Sequence, residues 1–276
     1  MNIGIIGVGV VGSAILEGFK QVDSTKHSYI GYDKYKNIGT FIDILSTDIC
    51  FICVPTQFSY KSNSYNKDEI HNVLQLLVNN NYSGIVILKC TVEPLVTQDL
   101  ASKYNLKLLH SPEFLSAISN IDDFVNQNHI VIGTSNNVLS DDIEKVKLLF
   151  TDTFPNSLLS ICTSNESECM KIFVNNFYSV KIQFFNELFL LCKNINVNYD
   201  NVKELMLKNN WINPMHTNVP GPDGQLSYGG MCFPKDTNAL LEFMKTNNSH
   251  HEILEACIKE RNSMRTDHIN IQSLDK

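Results

Sequence analysis

The sequence of 276 residues has no long apolar run. A membrane-spanning helix needs about 20 consecutive apolar residues, and the apolar stretches here are interrupted by Asn or Lys before that length. The start of the chain, Met1–Ile6, also lacks the basic segment of a secretory signal peptide. We therefore expect a cytoplasmic protein whose eight cysteines remain reduced thiols.

Basic residues are also scarce, with 22 Lys and Arg against 29 Asp and Glu and a formal net charge of -7. Such an acidic surface disfavours a nucleic-acid backbone as partner. Cys50 and Cys53 have the spacing of a metal or redox pair, but they lie in an apolar run that predicts a strand. Side chains three positions apart on a strand point to opposite faces. We therefore expect neither a nucleic-acid partner nor a metal.

The period of the apolar residues changes once along the chain, which predicts two domains. The first part alternates short apolar runs with helical patterns, which is typical of βαβ units. The predicted strands are Asn2–Gly7, Tyr29–Asp33, Asp48–Val54, Ile85–Lys89, Leu106–His110, His129–Gly133 and Ser157–Cys162. From Glu166 to about Asn194 the apolar period is helical, in a pattern too long and too apolar for a surface helix. We predict a Rossmann-like α/β domain with a parallel sheet over residues 1–163, followed by an all-helical domain over residues 164–276.

A glycine motif, Gly7-x-Gly9-x-x-Gly12, follows the first predicted strand and opens a helical pattern. In this context Gly7 makes the turn, Gly9 lets the backbone approach a pyrophosphate, and Gly12 allows close helix packing. Asp33 ends the second predicted strand, where a carboxylate accepts hydrogen bonds from ribose hydroxyls and repels a 2′-phosphate. The motif alone leaves a flavin site or a structural turn open. Strand, helix and acid together predict NAD as the cofactor.

The segment Gly229–Asp236 places a cysteine two residues before a proline that suits the first turn of a helix. Cys232 would then lie where the helix dipole favours a thiolate. Asp236, four residues further on, would face the same space as a base or an orienting group. The alternative is a buried and inert cysteine, since cysteine outside disulfides is usually buried.

Short motifs in a fixed order resemble the UDP-glucose/GDP-mannose dehydrogenase family over nearly the whole chain. Besides the glycine loop and Gly229–Asp236, they are Cys53–Thr56, Lys89–Val92, Ser111–Leu115, Asn126–Gly133, Glu168–Lys171 with Asn175, Asn186 and Glu187, and Val219–Gly224. The resemblance implies an enzyme that oxidises the primary alcohol of a nucleotide sugar to a carboxylate. The oxidation would use two molecules of NAD and pass through a thiohemiacetal and a thioester on cysteine.

The resemblance also implies catalytic roles for individual residues. Cys232 matches the nucleophile, and Lys171 and Asn175 match groups that stabilise oxyanion charge from one face of the central helix. Asp236 would hold the lysine or the water, and Glu113 would activate the water that hydrolyses the thioester. The complete implied catalytic set is Cys232, Lys171, Asn175, Asp236, Glu113 and Thr91.

Binding residues are implied in the same way, with Thr91 matching a threonine near the nicotinamide. The residues expected to bind the cofactor are Gly7, Gly9, Val10, Val11, Gly12, Asp33, Val54, Pro55, Thr56, Thr91 and Lys235. The residues expected to bind the substrate are Glu113, Phe114, Leu115, Lys171, Asn175, Tyr228, Gly229 and Cys232.

Three features depart from the family pattern. Ala117 replaces a glutamate that the family has four residues after Glu113, and Trp211 stands in place of an arginine that reaches a neighbouring subunit's substrate. Family members also continue into a second Rossmann-like domain over the substrate's nucleotide, whereas this chain stops 40 residues after Asp236. We expect weaker binding at the nucleotide end of the substrate.

The resemblance implies oxidation of UDP-glucose to UDP-glucuronate. A dehydrogenase of GDP-mannose or of a UDP-N-acetyl hexosamine remains an alternative, as do a two-electron hydroxyacid dehydrogenase and a non-catalytic, NAD-binding regulatory subunit. A long apolar helix in so small a chain also predicts a homodimer through the helical domain.

Overall fold

The computed structural model describes residues 1–23, 25–116 and 118–267. In chain order the strands are β1 (Asn2–Ile6), β2 (Ser28–Tyr32), β3 (Ile49–Ile52), β4 (Phe58–Ser59), β5 (Ser64–Tyr65), β6 (Ile85–Leu88), β7 (Leu108–His110), β8 (His129–Thr134) and β9 (Leu158–Thr163). The helices are α1 (Val10–Val22), α2 (Phe41–Leu45), α3 (Asp68–Asn79), α4 (Val96–Tyr104), α5 (Asn120–Val125), α6 (Ser140–Thr153), α7 (Ser164–Asn194), α8 (Tyr199–Leu207), α9 (Phe233–Thr246) and α10 (Glu252–Met264). The chain forms two compact units, the first from Met1–Thr56 and Asn66–Lys171, the second from Gln57–Tyr65 and the chain from Ile172 on.

Seven strands of the first unit form one sheet in the order β2-β1-β3-β6-β7-β8-β9. The prediction of a Rossmann-like α/β fold is therefore confirmed. The predicted parallel arrangement holds for every pair of this sheet except one, in which β8 runs antiparallel to β7. Phe114, after β7, stacks on His129 at the start of β8 with ring centroids 6.4 Å apart. The chain thus re-enters the sheet at the edge where it left, and β8 has to run back along β7.

Apolar side chains cover both faces of this sheet. Ile49 and Phe51 of β3 belong to one buried cluster, together with residues of α1, whereas Cys50 and Ile52 belong to a second cluster with residues of α3. Burial on both faces explains why the strands appear in the sequence as continuous apolar runs. The carboxyl ends of the parallel strands share one edge of the sheet, and the predicted cofactor residues of this unit follow these ends.

The 31-residue helix α7 buries several polar side chains and exposes several apolar ones. Asn175, Ser179 and Asn186 are at most 8% exposed, whereas Phe177 and Phe184 are 65% and 53% exposed. The apolar period therefore predicts the helix, but it does not predict which face of the helix is buried within this chain. None of the described helices, α7 included, combines the length and apolarity that crossing a membrane requires.

A small antiparallel hairpin belongs to the second unit although it comes early in the sequence. Its strands β4 and β5 pair Phe58 with Tyr65. Both side chains are buried in an apolar cluster with Ile172 of α7 and Leu240 of α9. The sequence did not predict these strands, because two residues are too few to show a period.

Candidate active site

The glycine loop between β1 and α1 has the backbone that its glycines permit. Gly7 has a φ of +86°, in the left-handed region that favours glycine. A Cβ on Gly12 would lie 1.8 Å from the carbonyl oxygen of Gly7, whereas a Cβ on Gly9 would meet no heavy atom within 4 Å. Helix α1 begins after Gly9 without a side-chain cap and without an acidic residue in its first turn. Its first N–H groups are thus open to an anion, which fits the pyrophosphate of NAD.

Asp33 follows β2 and is fixed beside this loop. Its carboxylate accepts the N–H of Val8 at 2.9 Å and those of Tyr35 and Lys36 at 3.0 Å each. The ammonium group of Lys36 donates to the carbonyl oxygen of Val8 at 2.6 Å. A cofactor at this turn would therefore meet both a carboxylate and a cation.

The loop between β6 and α4 carries Thr91, whose carbonyl oxygen accepts the hydroxyl of Thr56 at 2.7 Å. The structure thus brings together Thr56 and Thr91, two of the residues predicted to bind the cofactor.

The far end of the same loop is bound to α7. Glu168, in the first turns of α7, accepts the N–H of Leu95 at 2.8 Å and that of Thr97 at 2.7 Å. Leu95 has a φ of +81°, which is uncommon for a residue other than glycine.

Burial shifts the pKa of three groups near the carboxyl ends of β6 and β7. It raises the pKa of Glu168 from 4.5 to about 7, lowers that of Lys89 from 10.5 to about 8 and lowers that of His110 from 6.5 to about 3. The common cause is that burial disfavours the charged form of each group. His110 is consequently neutral at physiological pH.

Lys171 and Glu113 form a charged set in the first unit. The ammonium group of Lys171 donates to the backbone oxygen of Glu113 at 2.6 Å and lies 3.3 Å from its carboxylate Oε1. The other carboxylate oxygen accepts the N–H of Leu115 at 2.6 Å. The ring centroid of Phe114 lies 5.3 Å from the Lys171 Nζ, and Glu113–Leu115 line a cavity of about 460 Å³ together with Lys89. Four of the residues predicted to bind the substrate therefore lie together, with a cation beside a possible proton acceptor.

Asp236 is the centre of a second charged set, in the second unit, and is fully buried. Its Oδ1 accepts the hydroxyl of Tyr65 and the ammonium group of Lys235, and its Oδ2 accepts the Asn175 amide at 2.6 Å. Asn176 donates to its backbone oxygen at 3.1 Å. Because a buried charge is costly unless it is paired, these donors hold the carboxylate in one orientation.

Cys232 is exposed and is the N-cap residue of α9. Pro234 lies in the first turn of that helix, and the N–H of Asp236 donates to the Cys232 carbonyl oxygen at 3.0 Å. The sulfur thus stands at the positive end of the helix dipole. Cys232 is therefore not buried, as the alternative of an inert cysteine required.

The other predicted residues have more varied surroundings. Val10 and Pro55 are exposed, Val11 and Val54 are half-buried, and Trp211 is 87% exposed. Tyr228 is 2% exposed, and a Cβ on Gly229 would lie 2.2 Å from the guanidinium group of Arg265, so both are packed inside the second unit. Ala117 lies outside the described residues. In the part of the chain that the structure describes, no group of three or more His, Cys, Asp or Glu side chains could hold a metal ion.

Two residues of these sets were given no role by the sequence. Tyr65 lies on the hairpin strand β5 and reaches Asp236 across 171 positions of sequence. Glu168 was noted only as part of a motif, although it bonds to a loop more than 70 positions earlier. Both contacts join residues far apart in sequence, so the spacing of neighbouring residues does not predict them. The signal available in the sequence was a glutamate within an apolar helical pattern, three positions before a predicted catalytic lysine.

Two domain models of one family match most of the chain. The UDP-glucose/GDP-mannose dehydrogenase family, NAD binding domain, matches residues 37–152. The UDP-glucose/GDP-mannose dehydrogenase family, central domain, matches residues 165–263. The first match begins after the glycine loop, so the loop is an independent observation.

Individual proteins agree with these matches. The chain is 29% identical over 236 residues to the UDP-glucose 6-dehydrogenase of Rickettsia bellii, covering 82% of this chain and 52% of that protein. It is 29% identical over 242 residues to the UDP-glucose 6-dehydrogenase of Campylobacter jejuni, covering 84% of this chain and 56% of that protein. The chain spans about half the length of these curated relatives.

Among solved structures, the fold is similar to that of a UDP-glucose dehydrogenase from the hyperthermophilic archaeon Pyrobaculum islandicum. The TM-score is 0.81 at 22% identity, and the match covers 95% of this chain and 68% of that one. At this identity the likeness shows the fold alone. With the two domain models, it leads to one assignment. The chain belongs to the UDP-glucose/GDP-mannose dehydrogenase family and contains the family's NAD-binding and central domains.

Proposed function

We propose that the chain catalyses the NAD-dependent oxidation of UDP-glucose to UDP-glucuronate. The observation that carries the proposal is the exposed Cys232 at the N-cap of α9, one helical turn before the Asp236 carboxylate that holds the Asn175 amide. Membership of the family supports a nucleotide sugar as the class of substrate. The names of the bacterial relatives favour UDP-glucose within that class.

Residues of the first unit would hold NAD. The N–H groups at the start of α1 would receive the pyrophosphate, and the Asp33 carboxylate would accept hydrogen bonds from the adenosine ribose. Thr56 and Thr91 would border the nicotinamide end. When bound, NAD accepts one hydride in each of the two oxidations.

Cys232 would act between these oxidations. The first oxidation removes a hydride from carbon and a proton from the hydroxyl group, leaving an aldehyde. The Cys232 thiolate adds to the aldehyde carbon, and the resulting thiohemiacetal alkoxide loses a second hydride to become a thioester. Water then cleaves the thioester, which releases the carboxylate and restores the thiol. Each sugar therefore consumes one water and yields two NADH.

The charged sets would supply the remaining chemistry. The Lys171 ammonium group and the Asn175 amide both donate, so they would stabilise negative charge on the oxygen of the tetrahedral states. Glu113 would take the proton of the attacking water. Asp236 would keep the Asn175 amide in place through their 2.6 Å hydrogen bond.

An end-point assay of NADH tests the proposal. The purified chain is incubated with excess NAD and a limiting amount of UDP-glucose, GDP-mannose or UDP-N-acetylglucosamine. We expect two NADH per UDP-glucose and little from the other two sugars. One NADH per sugar would indicate a two-electron dehydrogenase, and two NADH from a different sugar would reassign the substrate. NAD binding without NADH from any sugar would contradict a catalytic role.

We also propose that the second unit forms a homodimer through α7. Phe177, Phe184 and Leu191 are each more than half exposed and recur every seven residues, so they form an apolar stripe along one side of α7. A stripe with this spacing is the pattern by which helices pair lengthwise. A second copy of the chain presents the same stripe and is the partner that fits it. A monomeric mass by light scattering at micromolar concentration would contradict the proposal.

A further inference from the structure

Ser167 and Glu168 are neighbours at the start of α7. Glu168 bonds to the end of the loop that carries Thr91, and Ser167 bonds to His110, which in turn bonds to the start of that loop. Both are buried, with exposed fractions of 0% and 1%. We propose that Ser167 and Glu168 are positioning residues that fix the Thr91 loop relative to the turn of α7 that bears Lys171. The inference rests on the proposed function, because it concerns the placement of residues assigned to that reaction.

Glu168 holds the far end of the loop. Helix α4 has no side-chain cap of its own, and its N-cap residue, Leu95, has a left-handed backbone. The two carboxylate oxygens of Glu168 accept the N–H groups of Leu95 and Thr97, one each. A residue of α7 thus supplies the cap of α4 and fixes the backbone where the Thr91 loop ends.

Ser167 holds the near end of the loop through His110. The two ring nitrogens of His110 contact the Ser167 hydroxyl at 2.8 Å and the carbonyl oxygen of Cys90 at 3.3 Å. A carbonyl oxygen can only accept, so the Nε2 of the neutral ring carries the hydrogen. Nδ1 is then an acceptor, and the Ser167 hydroxyl donates to it. The chain of bonds from Ser167 to Cys90 therefore has one direction and reaches the residue just before Thr91.

Lys171 follows these anchors by one helical turn. Its ammonium group is bound to Glu113, after β7, while Ser167 and Glu168 secure the loop after β6. The first two turns of α7 thus fix the loop after β6 and the loop after β7 relative to each other. A displacement of about 1 Å in an active site can cost up to a hundredfold in rate, so loosening the loop should lower turnover even though neither residue is assigned to substrate.

The decisive experiment compares Glu168→Gln with a matched control, Glu166→Gln. Glu166 lies two positions earlier on α7, is exposed, and accepts the N–H and hydroxyl of its near neighbour Thr163 at 2.8 Å each. Gln at position 168 keeps the size of the side chain, but its amide N–H₂ would face one of the two backbone donors. Amide hydrogen exchange is measured over residues 90–97 and over β1 and β3, together with kcat and KM for UDP-glucose.

We expect Glu168→Gln to speed exchange over residues 90–97 by about tenfold or more with β1 and β3 unchanged. We expect kcat to fall by about tenfold or more while KM changes less than about twofold. Glu166→Gln should leave both readouts as in the wild type. Unchanged exchange over residues 90–97, or an equal rise over β1 and β3, would overturn the proposal.

Ser167→Ala is the second variant, and it removes only the donor to His110. It should speed amide exchange around residues 90–91 and lower kcat in the same way. If Glu168→Gln does not fold, this variant decides whether the α7 residues hold the loop. A wild-type chain that yields no NADH from any sugar would defeat the proposed function, whereas the exchange measurement would still decide whether these two residues hold the loop.

Discussion

Cys232 and Asp236 lie one helical turn apart but in opposite environments. Cys232 is exposed at the N-cap of α9, whereas Asp236 is fully buried and bonded to three side chains. An exposed sulfur can meet a substrate, and a buried carboxylate with three donors cannot change its orientation readily. The pair therefore divides into a reacting group and an orienting group.

Replacing the sulfur should separate cofactor binding from chemistry. We expect Cys232→Ser to abolish net formation of the acid while NAD affinity stays within about twofold of the wild type, because a serine hydroxyl without a dedicated base is a far weaker nucleophile than a thiolate. Product analysis and calorimetry check the two parts. Cys162→Ser, on β9, is the control and should leave acid formation unchanged. Two NADH per sugar from Cys232→Ser would show that another group is the nucleophile.

Glu168 should make the stability of the protein depend on pH. Burial raises its pKa in the folded protein from 4.5 to about 7. Between these values the folded protein keeps a proton that the unfolded chain releases, so the stability that this proton contributes below pH 4.5 is lost as the pH rises through about 7.

Relative to Glu168→Gln, the wild type should therefore lose about 2–3 kcal/mol of unfolding free energy between pH 4.5 and pH 8. Urea unfolding at both pH values measures this difference. Glu166→Gln should track the wild type, and a wild type that instead gains stability relative to Glu168→Gln would reverse the sign of the assigned shift.

Single residues were predictable where sequence spacing alone brings them together. Lys171 and Asn175 share a helix face, so the sequence could group them. Lys235 was expected to bind the cofactor, and its ion pair with Asp236 was not predicted. Tyr65 could not be found in this way, because its contact with Asp236 depends on where the β4–β5 hairpin packs. A hydrogen bond between residues far apart in the chain leaves no periodic pattern in the sequence from which it could be predicted.

Among the elements, the sheet was more predictable than the environment of the long helix. Burial on both faces makes the inner strands continuous apolar runs, and the strands that form the sheet were found close to their observed limits. β8 runs antiparallel because the connection from β7 returns to the same edge of the sheet. Neither composition nor apolar period in the sequence predicts where that connection returns. The apolar period of α7 predicted a helix but not its buried face, because Phe177 and Phe184 are exposed whereas Ile172 and Phe185 are buried together with amides and hydroxyls.

The glycine loop allows fold and cofactor binding to be tested separately within one element. Gly12→Ala should destabilise the protein by about 3 kcal/mol, since its Cβ would lie 1.8 Å from the Gly7 carbonyl oxygen. Gly9→Ala has open space and should change stability by less than about 0.5 kcal/mol. It should nevertheless weaken NAD at least about tenfold, because a methyl group would stand where the pyrophosphate approaches. Thermal unfolding and calorimetry measure the two effects, and full NAD affinity in Gly9→Ala would place the pyrophosphate elsewhere.

For the whole molecule, the apolar stripe of α7 gives a direct test of assembly. Phe177→Glu should weaken the dimer by about a hundredfold or more, since two charges would be buried against apolar side chains. Leu158→Glu on β9 is the control, because Leu158 is also 65% exposed but lies in the other unit. Sedimentation should show monomers only for Phe177→Glu. A dimer that survives this change would have to form through another surface.

The hairpin Gln57–Tyr65 makes the second unit discontinuous in sequence, because the chain leaves the first unit after Thr56 and returns to it at Asn66. A single cut in the gene therefore cannot separate the two units. A fragment that begins at Ile172 would contain Asp236, Asn175 and Lys235 but not the tyrosine hydroxyl that completes their hydrogen bonds. Recombination with a related gene at the start of α7 would likewise pair the new helices with a hairpin inherited from the other parent. The hairpin and α9 would have to be exchanged together for the Asp236 set to remain complete.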